Sequence, residues 1–292
     1  LKIDGVFSGG GIKGFAFIGA YKALEEKGFE FARVAGTSAG SIIAALIAAG
    51  YKSDEILSLM DSLELRKFLD KRKGIMSFML MKWISVYWRM GLYKGQFLEE
   101  WMEEKLKAKG VSTFADLPKG KLRVIASDLT NGKIVVLPDD LSKYGINPNR
   151  FSVAKAVRMS SCLPYFFEPV KLWTKDGVSI VVDGGVLSNF PIWLFDGKIK
   201  KRPILGFQLS AHIEERPRNE IKNALSMFHA LFETMKEAHD ARHIATRHER
   251  SIVFIPVENI LTTEFKITNE KKQELIQLGK EKTETFLKKW SY

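Results

Sequence analysis

Two strand-like runs close to the N-terminus, each followed by a glycine turn and a helical pattern, restrict this chain more than any other feature. Ile3–Phe7 and Phe31–Ala35 are short, rich in branched and aromatic residues, and separated by Phe15–Lys27. That intervening stretch carries apolar residues at 15, 17, 18, 21 and 24, the spacing of one helix face, and Gly28 closes it. A strand–helix–strand unit of this length requires parallel strands joined by a right-handed crossover. Further strands are expected at Leu122–Ala126, Lys133–Leu137, Ser179–Val182, Ile204–Gln208 and Ile252–Ile255. Helices are expected at Ser38–Ala49, after a cap at Ser53, and over Asn219–Arg247 and Asn269–Lys289. The alternation predicts an α/β layered fold. No internal repeat or low-complexity linker divides the 292 residues, so one domain over 1–292 is expected, with Glu214–Arg218 as a loop inside it.

The turn after the first strand reads Gly9-Gly10-Gly11-Ile12-Lys13-Gly14. Glycines at a strand-to-helix junction let the backbone turn sharply and aim N–H groups, with the helix N-terminus, at negative charge. A plain tight turn accounts for the same residues. The spacing also satisfies G-x-G-x-x-G, but the acidic residue that a dinucleotide site needs at the end of the second strand is replaced by Gly36-Thr37-Ser38. A P-loop is excluded because Lys13 precedes Gly14 rather than following it.

What stands at that second strand end is Gly36-Thr37-Ser38-Ala39-Gly40, a G-x-S-x-G sequence with a strand before and a helix after. Small flanking residues tolerate the sharp turn that exposes a serine hydroxyl, and the helix N-terminus beyond it suits a developing oxyanion. The competing reading is a simple helix-capping serine. A base is found in Asp183-Gly184-Gly185, at the end of an expected strand, where α/β folds place ligands; an Asx turn before glycine would look the same. His212 follows the Ile204–Leu209 strand and is a triad candidate on topology alone. His229, His239, His243 and His248 fall on or at the end of one long helical pattern. His239 and His243 share a helix face without a thiol to complete a ligand set, and one cysteine, Cys162, excludes a disulfide framework, so no metal is expected.

Together, Gly-Gly-Gly-x-Lys-Gly, Gly-Thr-Ser-Ala-Gly and Asp-Gly-Gly resemble the patatin-like phospholipases. Gly91–Gly95, Ala126–Thr130, Ser160–Pro164 and Asp183–Asn189 with Pro191 are similar to that family as well. The resemblance spans roughly residues 3–210; residues 211–292 are expected to be a helical continuation of the same domain. It implies a three-layer α/β/α sandwich with a mostly parallel sheet, and a lipid acyl hydrolase that uses a Ser-Asp dyad without histidine, metal or cofactor. Carried over, Ser38 is the nucleophile and Asp183 the base, with Gly9, Gly10, Gly11 and Ala39 as oxyanion donors and Lys13 as a supporting charge. Gly14, Gly36, Gly40, Gly184 and Gly185 are the remaining motif glycines. Ser8 and Lys13 depart from the Asp and Arg of many members, and lysine lacks the planar fork of arginine. An aspartate is a useful base only if burial raises its pKa, for which Val181, Val182, Val186 and Leu187 provide apolar walls.

The substrate expected from the resemblance is a fatty-acyl ester of a phospholipid. A carboxylesterase or triacylglycerol lipase with the same dyad, and a silent module that binds anionic lipid, are the rivals. A net charge of +11 favours anionic partners. No basic motif with interleaved aromatics points to nucleic acid. Ile75–Met90 has 12 apolar residues among 16, including Trp83, Tyr87 and Trp88, but also Lys82 and Arg89. It is too short and too charged to span a bilayer, and suits either an interfacial lid or a covering helix. With no signal peptide visible, a cytoplasmic protein with peripheral contact to an anionic membrane is expected; the oligomeric state is left open.

Overall fold

The computed structural model describes residues 1–70, 86–175, 177–196, 202–209, 221, 227, 230–236, 240, 250–257 and 267–291. All five histidines, Glu214–Arg218, and residues 75–85 with Lys82 and Trp83 lie outside the described residues.

The strand–glycine–helix–strand unit forms as its pattern predicts: β1 (Lys2–Phe7), α1 (Phe15–Glu26) and β2 (Glu30–Thr37), with β1 and β2 parallel. α2 (Ala39–Ala48) and α3 (Ser53–Asp61) follow. Ser53 is the first residue of α3 rather than its cap. Lys52 takes the cap position, its N–H bonded to Glu55 at 2.8 Å, while the N–H of Ser53 is taken by Glu25 at 2.8 Å. Next come β3 (Gly91–Tyr93), α4 (Gln96–Ala108), β4 (Leu122–Asp128), β5 (Lys133–Leu137) and α5 (Val153–Ser160). The chain continues through β6 (Tyr165–Phe167), β7 (Val170–Thr174), β8 (Gly177–Asp183), β9 (Ile204–Gln208), β10 (Ile252–Phe254) and α6 (Asn269–Leu287).

The main sheet runs β10-β9-β1-β2-β4-β8-β7, with β5 added on β4. β10-β9, β9-β1, β1-β2 and β2-β4 are parallel, whereas β4-β5, β4-β8 and β7-β8 are antiparallel. One side of the sheet packs Ile3, Phe7, Phe31 and Phe207 against α1 and α2. The other side turns Val6, Ala35 and Ile204 toward Phe190, Ile192 and Phe195. Helices and this segment therefore cover both faces, as parallel strands require. The layered α/β/α architecture expected from the sequence is present, its sheet mostly parallel at the centre and antiparallel at one edge. β7 alternates buried Leu172 with exposed Lys171 and Trp173, the period of a half-covered strand.

β4 decides where the site forms. One of its edges belongs to β5, from Val124 to Asp128. The other edge is shared end to end. β2 occupies it as far as Thr37 opposite Ile125, and β8 takes over with Asp183 opposite Ala126. The residue that follows Thr37 and the last residue of β8 are thus brought together by the ladder itself.

α6, beyond the stretch that resembles a known family, docks on α1 through two glycines. A Cβ on Gly19 would lie 1.8 Å from the Ile276 carbonyl oxygen, and one on Gly279 would lie 1.9 Å from that of Ala16. The backbones touch at these points, and no side-chain rotation relieves such a clash. Lys272 and Lys280 of α6 face α1: Lys272 lies 5.5 Å from the Phe15 ring centroid, and Lys280 pairs with Glu26 at 2.8 Å. Gly279→Val should therefore destabilise the fold by about 2 kcal/mol or more, the scale of an overpacked core. Thermal denaturation should show a melting point several degrees lower; an unchanged Tm would mean that α6 is not docked here.

Candidate active site

Ser38 sits at the turn between β2 and α2 with φ 52° and ψ −125°. A non-glycine residue held in that region costs about 1–3 kcal/mol and persists only where its surroundings impose it. They do so here by close backbone approach. A Cβ on Gly36 would lie 2.3 Å from the Gly40 carbonyl oxygen, and one on Gly40 2.4 Å from that of Phe7. Only glycines fit at these two positions of the G-x-S-x-G motif, which explains its spacing. Ser160, at the end of α5, fastens the turn from the far side. It accepts the N–H of Ser38 at 2.9 Å and donates to the Ile125 carbonyl at 2.5 Å. Ser41 closes the first turn of α2 by donating to the Ser38 carbonyl at 2.6 Å. The Ser160–Pro164 segment, recognised in the sequence only by resemblance, thus has a physical task.

Asp183 ends β8, 2 % exposed, with one carboxylate oxygen accepting the Gly185 N–H at 2.7 Å. Burial pushes its carboxyl up to about 6, against the nearby Ser38 hydroxyl, the hydrogen bond from Gly185 and the positive charge of Lys236, all of which favour the carboxylate. Val182, Val186 and Phe232, with Leu163 and Leu187 against them, form the apolar cluster beside it. The direction anticipated from the valines is correct, although Val181 packs on the opposite side of the sheet.

Ser38 and Asp183 open on one cavity of about 110 Å³. Its walls are apolar: Ile42 and Ile43 from α2, Met60 from α3, Leu63, Leu65 and Phe68, Leu98 and Trp101 from α4, and Phe166 with Phe167. Gly10, Gly11 and Ala39 border it near Ser38. Among the described residues nothing accepts the backbone N–H groups of these three. Gly9 departs from the sequence expectation. Its N–H is donated to the Asn189 carbonyl at 3.0 Å, so it is not available to an oxyanion, and Gly9 does not line the cavity. Lys13 lies in the 3₁₀ turn Gly11–Gly14, half-buried, and does not line the cavity. The departure at Ser8 is accommodated structurally: its hydroxyl accepts the Leu209 N–H at 3.2 Å and ties the glycine loop to the end of β9.

Lysine does reach the cavity, from a place the sequence reading passed over. Residues 230–236 are helical, and Phe232 and Lys236, four apart, both line the cavity. Asp240, four further on, is buried and accepts from the Asn189 side chain at 3.0 Å and the Phe190 N–H at 2.9 Å. Phe232, Lys236 and Asp240 form a stripe with a period of four. That stripe was the available signal within the helical pattern Asn219–Arg247.

The family profile of the Patatin-like phospholipase matches residues 5–196, two thirds of the molecule. The chain belongs to that family. It is a hydrolase, and the family acts on lipid esters. Over its full 292 residues the chain is 59% identical to the YqhO protein of Bacillus subtilis (strain 168), and both chains are covered completely. It is 30% identical to a cUMP-AMP-activated phospholipase of Escherichia coli, over 63% of this chain and 54% of that one. Among solved structures, VipD from Legionella pneumophila shares the fold with a TM-score of 0.57 at 17% identity, covering 99% of this chain and 67% of VipD.

The raised pKa of Asp183 has a consequence for stability. Folding lifts this carboxyl from its ordinary value near 3.8 to about 6, so above pH 6 the folded state bears a buried charge that the unfolded state keeps in water. The cost is roughly 2–3 kcal/mol at neutral pH and vanishes once both states are protonated, below about pH 4. Asp183→Asn should therefore melt at a higher temperature than wild type at pH 8, and the gap should close toward pH 4. A variant that melts lower at every pH would show that the carboxylate is structural.

Proposed function

We propose that this chain hydrolyses fatty-acyl esters of phospholipids through a dyad in which Ser38 is the nucleophile and Asp183 its base. The observation that carries the reading is that Ser38, held at a strained turn, and the buried Asp183, whose carboxyl burial pushes up to about 6, line the same apolar cavity. A base with that pKa is ionised at neutral pH yet accepts a proton readily, the compromise general-base catalysis requires.

In the proposed cycle the Ser38 Oγ attacks the ester carbonyl carbon as its proton passes to Asp183. The oxyanion that forms is held by the N–H groups of Gly10, Gly11 and Ala39 and by the positive end of α2. Asp183 then returns the proton to the departing alcohol oxygen, leaving an acyl-Ser38 ester. A water molecule gives its proton to Asp183 and attacks that ester. Collapse breaks the bond to the Ser38 Oγ, which takes the proton back from Asp183, so the fatty acid is released and the hydroxyl restored. The cavity walls from α2, α3 and α4 accommodate the acyl chain, whose burial supplies roughly 0.8 kcal/mol per methylene.

Exposed Tyr87 and Trp88, 77% and 75% accessible and in edge-to-face contact, together with the charge of +11, support peripheral docking on an anionic lipid surface. Among the described residues no helix is long and apolar enough to cross a membrane.

A fluorophosphonate probe should label Ser38, and Ser38→Ala should abolish both labelling and hydrolysis with the fold intact. Asp183→Asn should lower kcat/KM by ~10³-fold or more. A label mapped to Ser8, Ser41 or Ser160 would discard the dyad. Phosphatidyl esters should be cleaved faster than triacylglycerols of the same chain length; the reverse order would make the protein a neutral lipase.

For the wild-type enzyme, kcat/KM on a short soluble ester should fall tenfold per pH unit below about 6, because Asp183 must be ionised to accept a proton. A limb set near pH 4 would mean that the base sits in water.

A further inference from the structure

An ion pair between a buried lysine and a partly exposed glutamate adjoins the dyad, and the cycle above does not use it. Lys236 is 7 % exposed, lies on the cavity wall with Ser38 and Asp183, and places its Nζ 3.0 Å from Glu233, one helical turn back. Taking an ammonium and a carboxylate out of water costs several kcal/mol per ion before their attraction is counted, so such a pair contributes little to stability compared with apolar side chains of the same volume. The neighbouring wall is apolar: the ammonium stands 5.6 Å from the Phe232 ring centroid. A cation on an otherwise greasy surface, beside a carboxylate that must alternate between charged and neutral, has an electrostatic role available to it.

We infer that Lys236 is a positioning residue for the reaction: its ammonium keeps Asp183 ionised between proton transfers, against the opposing charge of Glu233. The inference rests on the Ser38–Asp183 reading. Four groups face Asp183: the Ser38 hydroxyl from the β2–α2 turn, Cys162 from the segment after α5, and Lys236 and Glu233 from the helix at 230–236. Of the two opposite charges, Lys236 acts on Asp183 more strongly than Glu233 does, so the pair as a whole favours the carboxylate. Burial opposes the charge on Lys236 itself, but Glu233, Asp183 and Asp240 outweigh it and push the ammonium up from its ordinary value. It therefore remains a cation throughout the working range. Without it, one of the influences that offset burial at Asp183 is lost, and the carboxyl would hold its proton to higher pH.

The test is the pH profile of kcat/KM on a short soluble ester for Lys236→Met, Lys236→Arg and Glu233→Gln. Lys236→Met should move the acid limb to higher pH, with activity at pH 6 reduced about tenfold and activity at pH 9 changed less than about threefold, the scale of one nearby opposite charge. Lys236→Arg should restore the wild-type limb. Glu233→Gln should move the limb the opposite way, since it removes the charge that raises Asp183, and this variant decides the matter if Lys236→Met fails to fold. A Lys236→Met profile lowered equally at every pH, or a Glu233→Gln limb that stays in place or moves up, would overturn the inference and leave the pair a structural one. Asp183→Asn, assayed alongside, separates the two readings: full activity there would remove the dyad itself, whereas its loss together with unmoved limbs would remove only the role of Lys236.

Discussion

The site depends on one edge of one strand. β4 pairs with β2 as far as Ile125 and with β8 from Ala126 onward, so two strands that arrive from opposite directions meet end to end. Backbone hydrogen bonds of the sheet, rather than any side-chain contact, bring the residue after Thr37 against Asp183. This has an energetic advantage. In the proposed dyad, a nucleophile and a base carried on a rigid ladder lose little further freedom when substrate binds, and pre-paid orientation is among the larger contributions available to catalysis. It also explains the antiparallel edge of a sheet that is parallel at its centre: only a strand running against β4 can end where β2 ends.

Two costs are concentrated at that meeting point. Ser38 is held at a positive φ, and Asp183 carries a buried charge. Each is opposed by neighbours with no other evident task. Ser160 and Ser41 clasp the turn, and Gly36 and Gly40 let three backbone segments touch. Gly185 and Lys236 stabilise the carboxylate. A fold that spends stability here must recover it elsewhere, and the large core between the sheet, α1, α2 and α6 is where apolar burial is greatest. Docking α6 through Gly19 and Gly279 extends that core into a part of the chain the family profile does not reach.

Much of this was legible in the residues. Apolar runs bounded by glycine gave β1, α1 and β2, because a buried parallel strand has few other ways to be written. Ser38 and Asp183 were legible because strand ends in α/β folds collect chemistry. What escaped had no local signature. Whether Gly9 or Gly10 offers its N–H depends on the Asn189 carbonyl, 180 positions away. Lys13 looked like a supporting charge by adjacency, yet among the described residues it is Lys236 that lines the cavity. A lysine in a helical pattern reads as solvated unless its partner surface is known. β7 was missed because an edge strand with polar residues on alternate positions scores like a loop.

The central claim is that burial makes Asp183 a base matched to Ser38. Infrared difference spectra of wild type against Asp183→Asn, recorded across pH, isolate the carbonyl stretch of the protonated Asp183 carboxyl. This band should appear with a midpoint near pH 6. A midpoint in the ordinary carboxylate range, near pH 4, would contradict it.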